Sequence, residues 1–90
     1  MPRYSYRLAA TQKLPYFLKD QFLRAASSIA LNLAEGSAKP TQNDRRRFYY
    51  IALGSVRECE AVIALASLDS LAEPMDKLAR HVCRLCKALE

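Results

Sequence analysis

Three consecutive arginines, Arg45, Arg46 and Arg47, form the densest cluster of charge in the sequence, and Lys39 lies shortly before them. Successive helical residues lie about 100° apart, so these arginines spread around one helical turn and cannot all enter one small pocket. Such a collar suits the phosphate backbone of a nucleic acid, and we predict a nucleic-acid contact through Lys39, Arg45, Arg46 and Arg47. The alternative is a solvated helix face with one arginine paired to an acid.

A second group with possible chemistry is His81, Cys83 and Cys86. Cys83 and Cys86 share a helix face, but His81 lies about 200° around the helix from Cys83, so the three cannot bind one metal ion. The sequence also has no Gly-rich phosphate loop and no nucleophile elbow. We therefore predict no metal, no cofactor and no enzymatic activity, with the cysteines serving as small packing residues.

The charge is distributed unevenly along the chain. Residues 1–57 carry ten basic and three acidic side chains, whereas residues 58–90 carry four basic and six acidic ones. The positive part is therefore the region to examine for anionic partners, although a soluble protein with a high isoelectric point is the simpler interpretation.

The sequence gives no sign of export or of membrane insertion. The first fifteen residues include Arg3, Arg7 and Lys13 and lack an apolar block, and the longest uncharged run, residues 25–34, is far shorter than the roughly 20 residues of a membrane span. An odd number of cysteines favours reduced thiols over a disulfide framework. We expect a cytoplasmic protein with no membrane partner.

Hydrophobic periodicity predicts an all-α fold with four helices, at residues 3–13, 15–34, 41–70 and 73–90. Side chains at spacings of three and four should face inward from the last three of these helices, and they are Leu18, Phe22, Ala25, Ile29, Leu33, Phe48, Ile51, Ala52, Ser55, Cys59, Val62, Ala66, Met75, Leu78, Val82, Leu85 and Leu89. Pro15 suits a first turn, Gly36 and Pro40 mark a helix end, and Thr41 is a candidate N-cap. Short connections between long amphipathic helices indicate an up-and-down four-helix bundle, and we take residues 1–90 as a single domain.

Two features of the predicted helices suggest contacts with other helices. A third helix of thirty residues would be about 45 Å long, more than a chain of this size needs, so part of it should pack on another subunit. Gly54, in the middle of that helix, suggests a close backbone approach by a neighbour. The polar residues in apolar surroundings, Arg24, Asn32, Glu35 and Glu58, should form a hydrogen-bonded cluster that fixes helix register.

Residues 20–36 and 47–60 resemble a known family. They carry an Arg-Ala-Ala element, an Asn-x-Ala-Glu-Gly element and an Ile-Ala-x-Gly-Ser-x-x-Glu-x-Glu element in order. This pattern is similar to that of the four-helix-bundle proteins encoded within intervening sequences of bacterial 23S rRNA genes. The family elements fall on Arg24, Asn32, Glu35, Gly36, Gly54, Ser55 and Glu58.

The resemblance implies a left-handed four-helix bundle that forms a homopentamer with a central channel and has no known catalytic activity. Related pentamers accompany the reverse transcriptases of diversity-generating retroelements and bind nucleic acid through a positive surface. The first and last helices of this chain are shorter than is usual in the family. We therefore expect a non-enzymatic, homo-oligomeric adaptor that contacts RNA or another nucleic acid, or a nucleic-acid-processing protein. The alternative function is a protein-interaction scaffold without a nucleic-acid role.

Overall fold

The computed structural model describes residues 15–90, and these residues form an all-helical arrangement. Helix α1 spans Tyr16–Ala38, α2 spans Gln42–Ala66 and α3 spans Ala72–Ala88, with a short 3-10 helix at Asp69–Leu71 before α3. The helix that we predict at residues 3–13 lies outside the described residues. The remaining three predicted helices are confirmed, with corrections to their ends.

The start of α2 follows the sequence signal closely. Thr41 is the N-cap, and its hydroxyl oxygen accepts a hydrogen bond of 3.2 Å from the backbone N–H of Asp44. This bond satisfies one of the free N–H groups of the first turn. Pro40, immediately upstream, separates α2 from α1, because Lys39 before it takes an extended backbone conformation.

The predicted ends of two helices were wrong. Helix α1 does not stop before Gly36 but includes it and continues to Ala38, so Gly36 is a buried helical residue rather than a terminator. Helix α2 ends at Ala66, four residues short of the predicted end, because Ser67 adopts a left-handed conformation with φ of 56°. The N–H groups of Ser67 and Leu68 then bond back to the carbonyls of Ala64 and Ile63. The apolar residues that continue the helical spacing beyond residue 66 lie in the connection between α2 and α3.

Helix α2 occupies the centre of the fold and packs against both α1 and α3, whereas the backbones of α1 and α3 do not approach within 8 Å of each other. All three helices contribute to one apolar core, whose buried members are Ala25, Ile29, Ala52, Val56, Cys59, Ala79, Val82 and Cys86. The predicted inward stripes are largely confirmed by this set. Ile51 is an exception, since 44% of its surface is exposed.

A short chain of polar groups joins α1 to α2 inside this packing. The hydroxyl of buried Ser55 donates to the Ser28 hydroxyl over 2.8 Å, and the Asn32 side-chain amide donates to the Ser28 carbonyl and hydroxyl at 2.8 and 3.0 Å. The Ser55–Ser28 hydrogen bond fixes the register of α1 against α2. A shift along the helix axis would leave the Ser55 hydroxyl without its interhelical partner.

The predicted cluster of Arg24, Asn32, Glu35 and Glu58 does not form. Arg24 pairs with Asp20 at 2.9 Å, and Glu35 pairs with Lys39 at 3.5 Å, both along the surface of α1. Glu58 is exposed. The side chains of Arg24, Glu35 and Glu58 therefore lie at the surface. The interhelical hydrogen bond is made by two small serines, Ser28 and Ser55, and not by long charged side chains.

Candidate nucleic-acid interface

The four basic residues that the sequence singles out lie in the connection between α1 and α2, which holds Lys39, and in the first turns of α2, which hold the three arginines. Arg45 turns back across this connection, and its Nε donates a hydrogen bond of 2.7 Å to the Lys39 carbonyl oxygen. That carbonyl follows the end of α1, where helical carbonyls lack partners within the helix. Arg45 therefore has a structural contact with the connection while it remains exposed at the surface.

The Phe48 ring holds two further cations. The Lys39 Nζ lies 5.2 Å from the ring centroid, and the Arg47 Cζ lies 4.8 Å from it. Both distances allow a cation–π attraction, which leaves much of each cation in contact with water. Lys39 also pairs with Glu35 at 3.5 Å. The aromatic residue after the arginine block thus holds two cations within cation–π distance of its ring.

The half-buried Arg46 lies one turn before Tyr50 on α2, near enough for its charge to act on the Tyr50 hydroxyl. The Tyr50 hydroxyl donates a hydrogen bond of 2.6 Å to Glu90 Oε2, which joins the first turns of α2 to the last residue of the chain. This hydrogen bond is the main reason that the pKa of Tyr50 is raised, and the charge of nearby Arg46 acts in the opposite direction. The three arginines therefore point in different directions and do not form one pocket.

Two cations missed by the sequence-based interpretation follow the arginine block along α2. Arg84 and Lys87 belong to the last turns of α3, and the Tyr50–Glu90 and Arg57–Cys83 contacts place those turns beside the middle of α2. The sequence shows them as charges suited to the helix dipole. Their position could have been inferred from the short connection between α2 and α3, which makes these helices antiparallel.

We give the name basic end to the region that extends from the α1–α2 connection, along the first half of α2, to the last turns of α3. It is defined by six cations, which are Lys39, Arg45, Arg46, Arg47, Arg84 and Lys87. Three carboxylates accompany them, those of Glu35, Asp44 and Glu90. The basic end therefore has an excess of positive charge that is contributed by two helices and one connection.

The opposite end of the molecule is acidic. Residues 58–76 contain five acidic side chains and no lysine or arginine, and they form the last turns of α2, the connection and the first turn of α3. Helix α1 adds Lys19, Asp20 and Arg24 at this end. The folded chain is thus polarised along its helices, a property that the division of the linear sequence into a positive and a negative part does not show.

The two glycines and the serine of the family elements have different surroundings in the structure. Gly36 faces the Tyr49 ring, and a Cβ added there would lie 2.7 Å from Tyr49 Cε1. Ser55 makes the hydrogen bond to α1. Gly54 is exposed, and among residues 15–90 no neighbouring helix comes within 4 Å of a Cβ added to it. No helix of residues 15–90 makes the close approach that the sequence predicts at Gly54, and an approach by another subunit stays a prediction.

The cysteines and the histidine do not converge. Cys59 and Cys86 are buried in the core, Cys83 is half-buried and His81 is exposed. All three thiols are free. Across residues 15–90, no group of three His, Cys, Asp or Glu side chains has a geometry that could hold a metal ion.

A family model described as the 23S rRNA-intervening sequence protein matches residues 4–90. The chain belongs to this family. The resemblance drawn from residues 20–36 and 47–60 is thereby confirmed and extends over nearly the whole sequence. No curated protein and no solved structure gives a significant match. Within the described part of the family domain, none of the helices has the length and apolarity to cross a membrane.

Proposed function

We propose that this family member is a non-enzymatic helical adaptor that binds RNA or another nucleic acid through the basic end. The observation that supports this most directly is the grouping in the basic end of six cations from separate segments of the chain. Phosphate backbones are bound by several cations at intervals, and each neutralised phosphate releases counterions. A small anionic substrate would instead require side chains that converge, and the three arginines diverge.

The way these cations are held also supports a nucleic-acid partner. Arg47 and Lys39 lie against Phe48, and Arg45 is hydrogen-bonded to the Lys39 carbonyl, so part of their conformational freedom is already lost in the free protein. Positioned cations lose less entropy when they bind phosphates than freely moving side chains do. Contacts of this kind fix register on a nucleic acid without reading its bases.

We propose further that the chain forms a four-helix bundle with residues 3–13 as its other helix, and that it assembles in the cytoplasm as a homo-oligomer, as a pentamer by analogy with its family. Large apolar side chains remain exposed on α1 and α2, notably Leu23, Leu31, Ile51 and Leu65. A groove of about 430 Å³ along α1 is lined by Leu23, Arg24, Ser27, Ser28, Leu31 and Asn32. These surfaces are the places where helices of the same chain or of other copies would pack.

The nucleic-acid proposal is tested by fluorescence anisotropy with a labelled single-stranded RNA at several salt concentrations. Changing Arg45, Arg46 and Arg47 to Ala should weaken binding and reduce the slope of log K against log salt by about 2, since each single-strand phosphate contact contributes about 0.7. Changing Arg84 and Lys87 to Ala should reduce the slope as well, by about 1.4.

The matched control removes cations from the other end of the chain. Changing Lys19 and Arg24 to Ala lowers the net charge by two without altering the basic end, and binding should change little. If this control weakens binding as much as the Arg84 and Lys87 pair does, the effect is one of net charge and the basic end is not the contact. Absence of binding at low salt would rule out the function itself.

A protein-interaction scaffold is the second candidate function. It is favoured by the exposed apolar side chains near the acidic end, where 73% of the surface of Leu65 and 38% of that of Leu71 are exposed. Affinity purification before and after nuclease treatment separates the two functions. A partner that remains after nuclease treatment, and that is lost when Leu65 is changed to Ser, would support the scaffold.

A further inference from the structure

A cleft between α2 and α3 contains the thiol of Cys83. It has a volume of about 330 Å³ and is lined by Arg57, Asp76, Ala79, Arg80, Cys83 and Arg84. Three guanidinium groups and one carboxylate therefore surround Cys83. This cleft takes no part in the nucleic-acid proposal except through Arg84, and we call it the thiol cleft.

The guanidinium groups differ in how far they are already neutralised. Arg57 pairs with Glu60 at 2.8 Å and Arg80 pairs with Asp76 at 2.9 Å. Arg84 has no carboxylate within ion-pairing distance among residues 15–90, so the thiol cleft retains positive charge. The Nη2 atom of Arg57 lies 3.9 Å from the Cys83 sulfur, close enough to contact a group that becomes attached to that sulfur.

The other two thiols are unlike Cys83. Cys59 and Cys86 are buried within the core, and burial is the main cause that raises the pKa of each thiol. A raised pKa lowers the fraction of thiolate, which is the nucleophilic form, and the core also blocks access to reagents. Cys83 is half-buried and faces the cleft. The chain therefore contains two internal controls for any reaction at Cys83.

We propose that the thiol cleft is a modification site at which Cys83 undergoes thiol–disulfide exchange with small anionic disulfides, of which glutathione disulfide is the type. The Cys83 thiol loses its proton to solvent and its sulfur attacks one sulfur of the disulfide. A protein–reagent S–S bond forms, the original S–S bond breaks, and the leaving thiolate takes the electron pair and then a proton. The guanidinium groups bind the carboxylates of the attached half, which a neutral or cationic disulfide lacks.

The proposal is tested on the reduced full-length chain with three disulfides of different charge: glutathione disulfide, neutral 2-hydroxyethyl disulfide and cationic cystamine. Intact mass and peptide mapping follow the modified fraction of each cysteine with time. Cys83 should react with glutathione disulfide at least about tenfold faster than with cystamine after each is scaled to a small-thiol reference, because local positive charge concentrates anions. Cys59 and Cys86 should remain largely unmodified.

Two further measurements separate recognition from simple exposure. Raising the salt concentration should slow the anionic reagent and leave the neutral one unchanged, and this comparison needs no variant. Arg84→Gln should lower the rate only for glutathione disulfide, whereas Lys77→Gln, which removes a cation of α3 outside the cleft lining, should not. Equal scaled rates for the three reagents, or modification of Cys59 and Cys86 before Cys83, would overturn the proposal.

Discussion

The two glycines of the described chain both lie within helices, yet their surroundings are opposite. Gly36 is buried beside the connection between α1 and α2, where the Tyr49 ring occupies the space that a side chain would need. Gly54 lies on the outer surface of α2, and the rest of residues 15–90 leaves the space around it open. A glycine costs a helix about 1 kcal/mol relative to alanine at either site.

The comparison shows at which glycine the lost helix propensity is offset by packing within the described chain. At Gly36 the missing side chain lets Tyr49 pack on α1, beside the cations of the basic end. At Gly54 nothing in the described part of the chain uses the missing side chain, and exposed Ile51 lies one turn earlier. The surface around Gly54 is therefore the place at which to expect a helix of another copy, as the proposed assembly requires.

Adding a branched side chain at Gly36 should give the largest effect. Gly36→Val places methyl groups where the Tyr49 ring lies and should lower the free energy of unfolding by about 2–3 kcal/mol. Chemical denaturation measures this change. Combining the variant with Tyr49→Ala should recover part of the loss, because the ring that it displaces is gone. A purely additive double variant would mean that Tyr49 is not the obstacle.

A bulky side chain at Gly54 should act on assembly instead of on the fold. Gly54→Leu should raise the dissociation constant for self-association about tenfold or more, which corresponds to about 1.4 kcal/mol. Light scattering and sedimentation across a concentration series report the change, and circular dichroism checks that the helices are kept. The same substitution at exposed Ala30, on the surface of α1, is the matched control. An unchanged dissociation constant would leave Gly54 outside any interface.

Alanine at Gly54 should have a smaller effect that depends on protein concentration. In dilute solution Gly54→Ala should raise the free energy of unfolding by about 1 kcal/mol, because the helix gains propensity and the added methyl group meets open space. At high concentration this gain should shrink if a second copy approaches the glycine. Melting curves at two concentrations separate these terms, and the same gain at both would argue against an approach by a partner.

The inner surface of α2, directly beside Gly54, offers the smallest test. Ser55→Ala removes the hydrogen bond to Ser28 and should lower the free energy of unfolding by about 0.5–1.5 kcal/mol at any protein concentration. Ser27→Ala, at the exposed position next to Ser28, should change it little. Equal effects of the two substitutions would mean that the interhelical bond adds nothing beyond local helix propensity.

Much of the fold could be predicted from periodicity, because apolar side chains at spacings of three and four must face a core. That rule identified Ala25, Ile29, Val62 and Val82 as inward residues, and all four are buried. It failed at Ile51, whose exposure depends on which neighbours reach that side of α2. Periodicity identifies which side chains share a face, but it does not show what covers that face.

The helix ends and the candidate site were predictable only in part. Thr41 was recognisable because an N-cap is a local interaction between residues three apart. Gly36 was misread as a helix end because its role depends on Tyr49, a residue of the next helix. The arginine block was visible as a run of charge, but the placement of Arg84 and Lys87 further along α2 required the antiparallel packing of α2 and α3.

The central position of α2 also determines how the described chain can open. Helices α1 and α3 each have a seam with α2 and none with each other. Thermal motion that releases α3 therefore breaks one seam and leaves the α1–α2 hairpin paired, and release of α1 leaves the α2–α3 hairpin. Helix α2 cannot be released in this way, because its release breaks both seams at once. We therefore expect the backbone amides of α2 to exchange with water more slowly than those of α1 and α3.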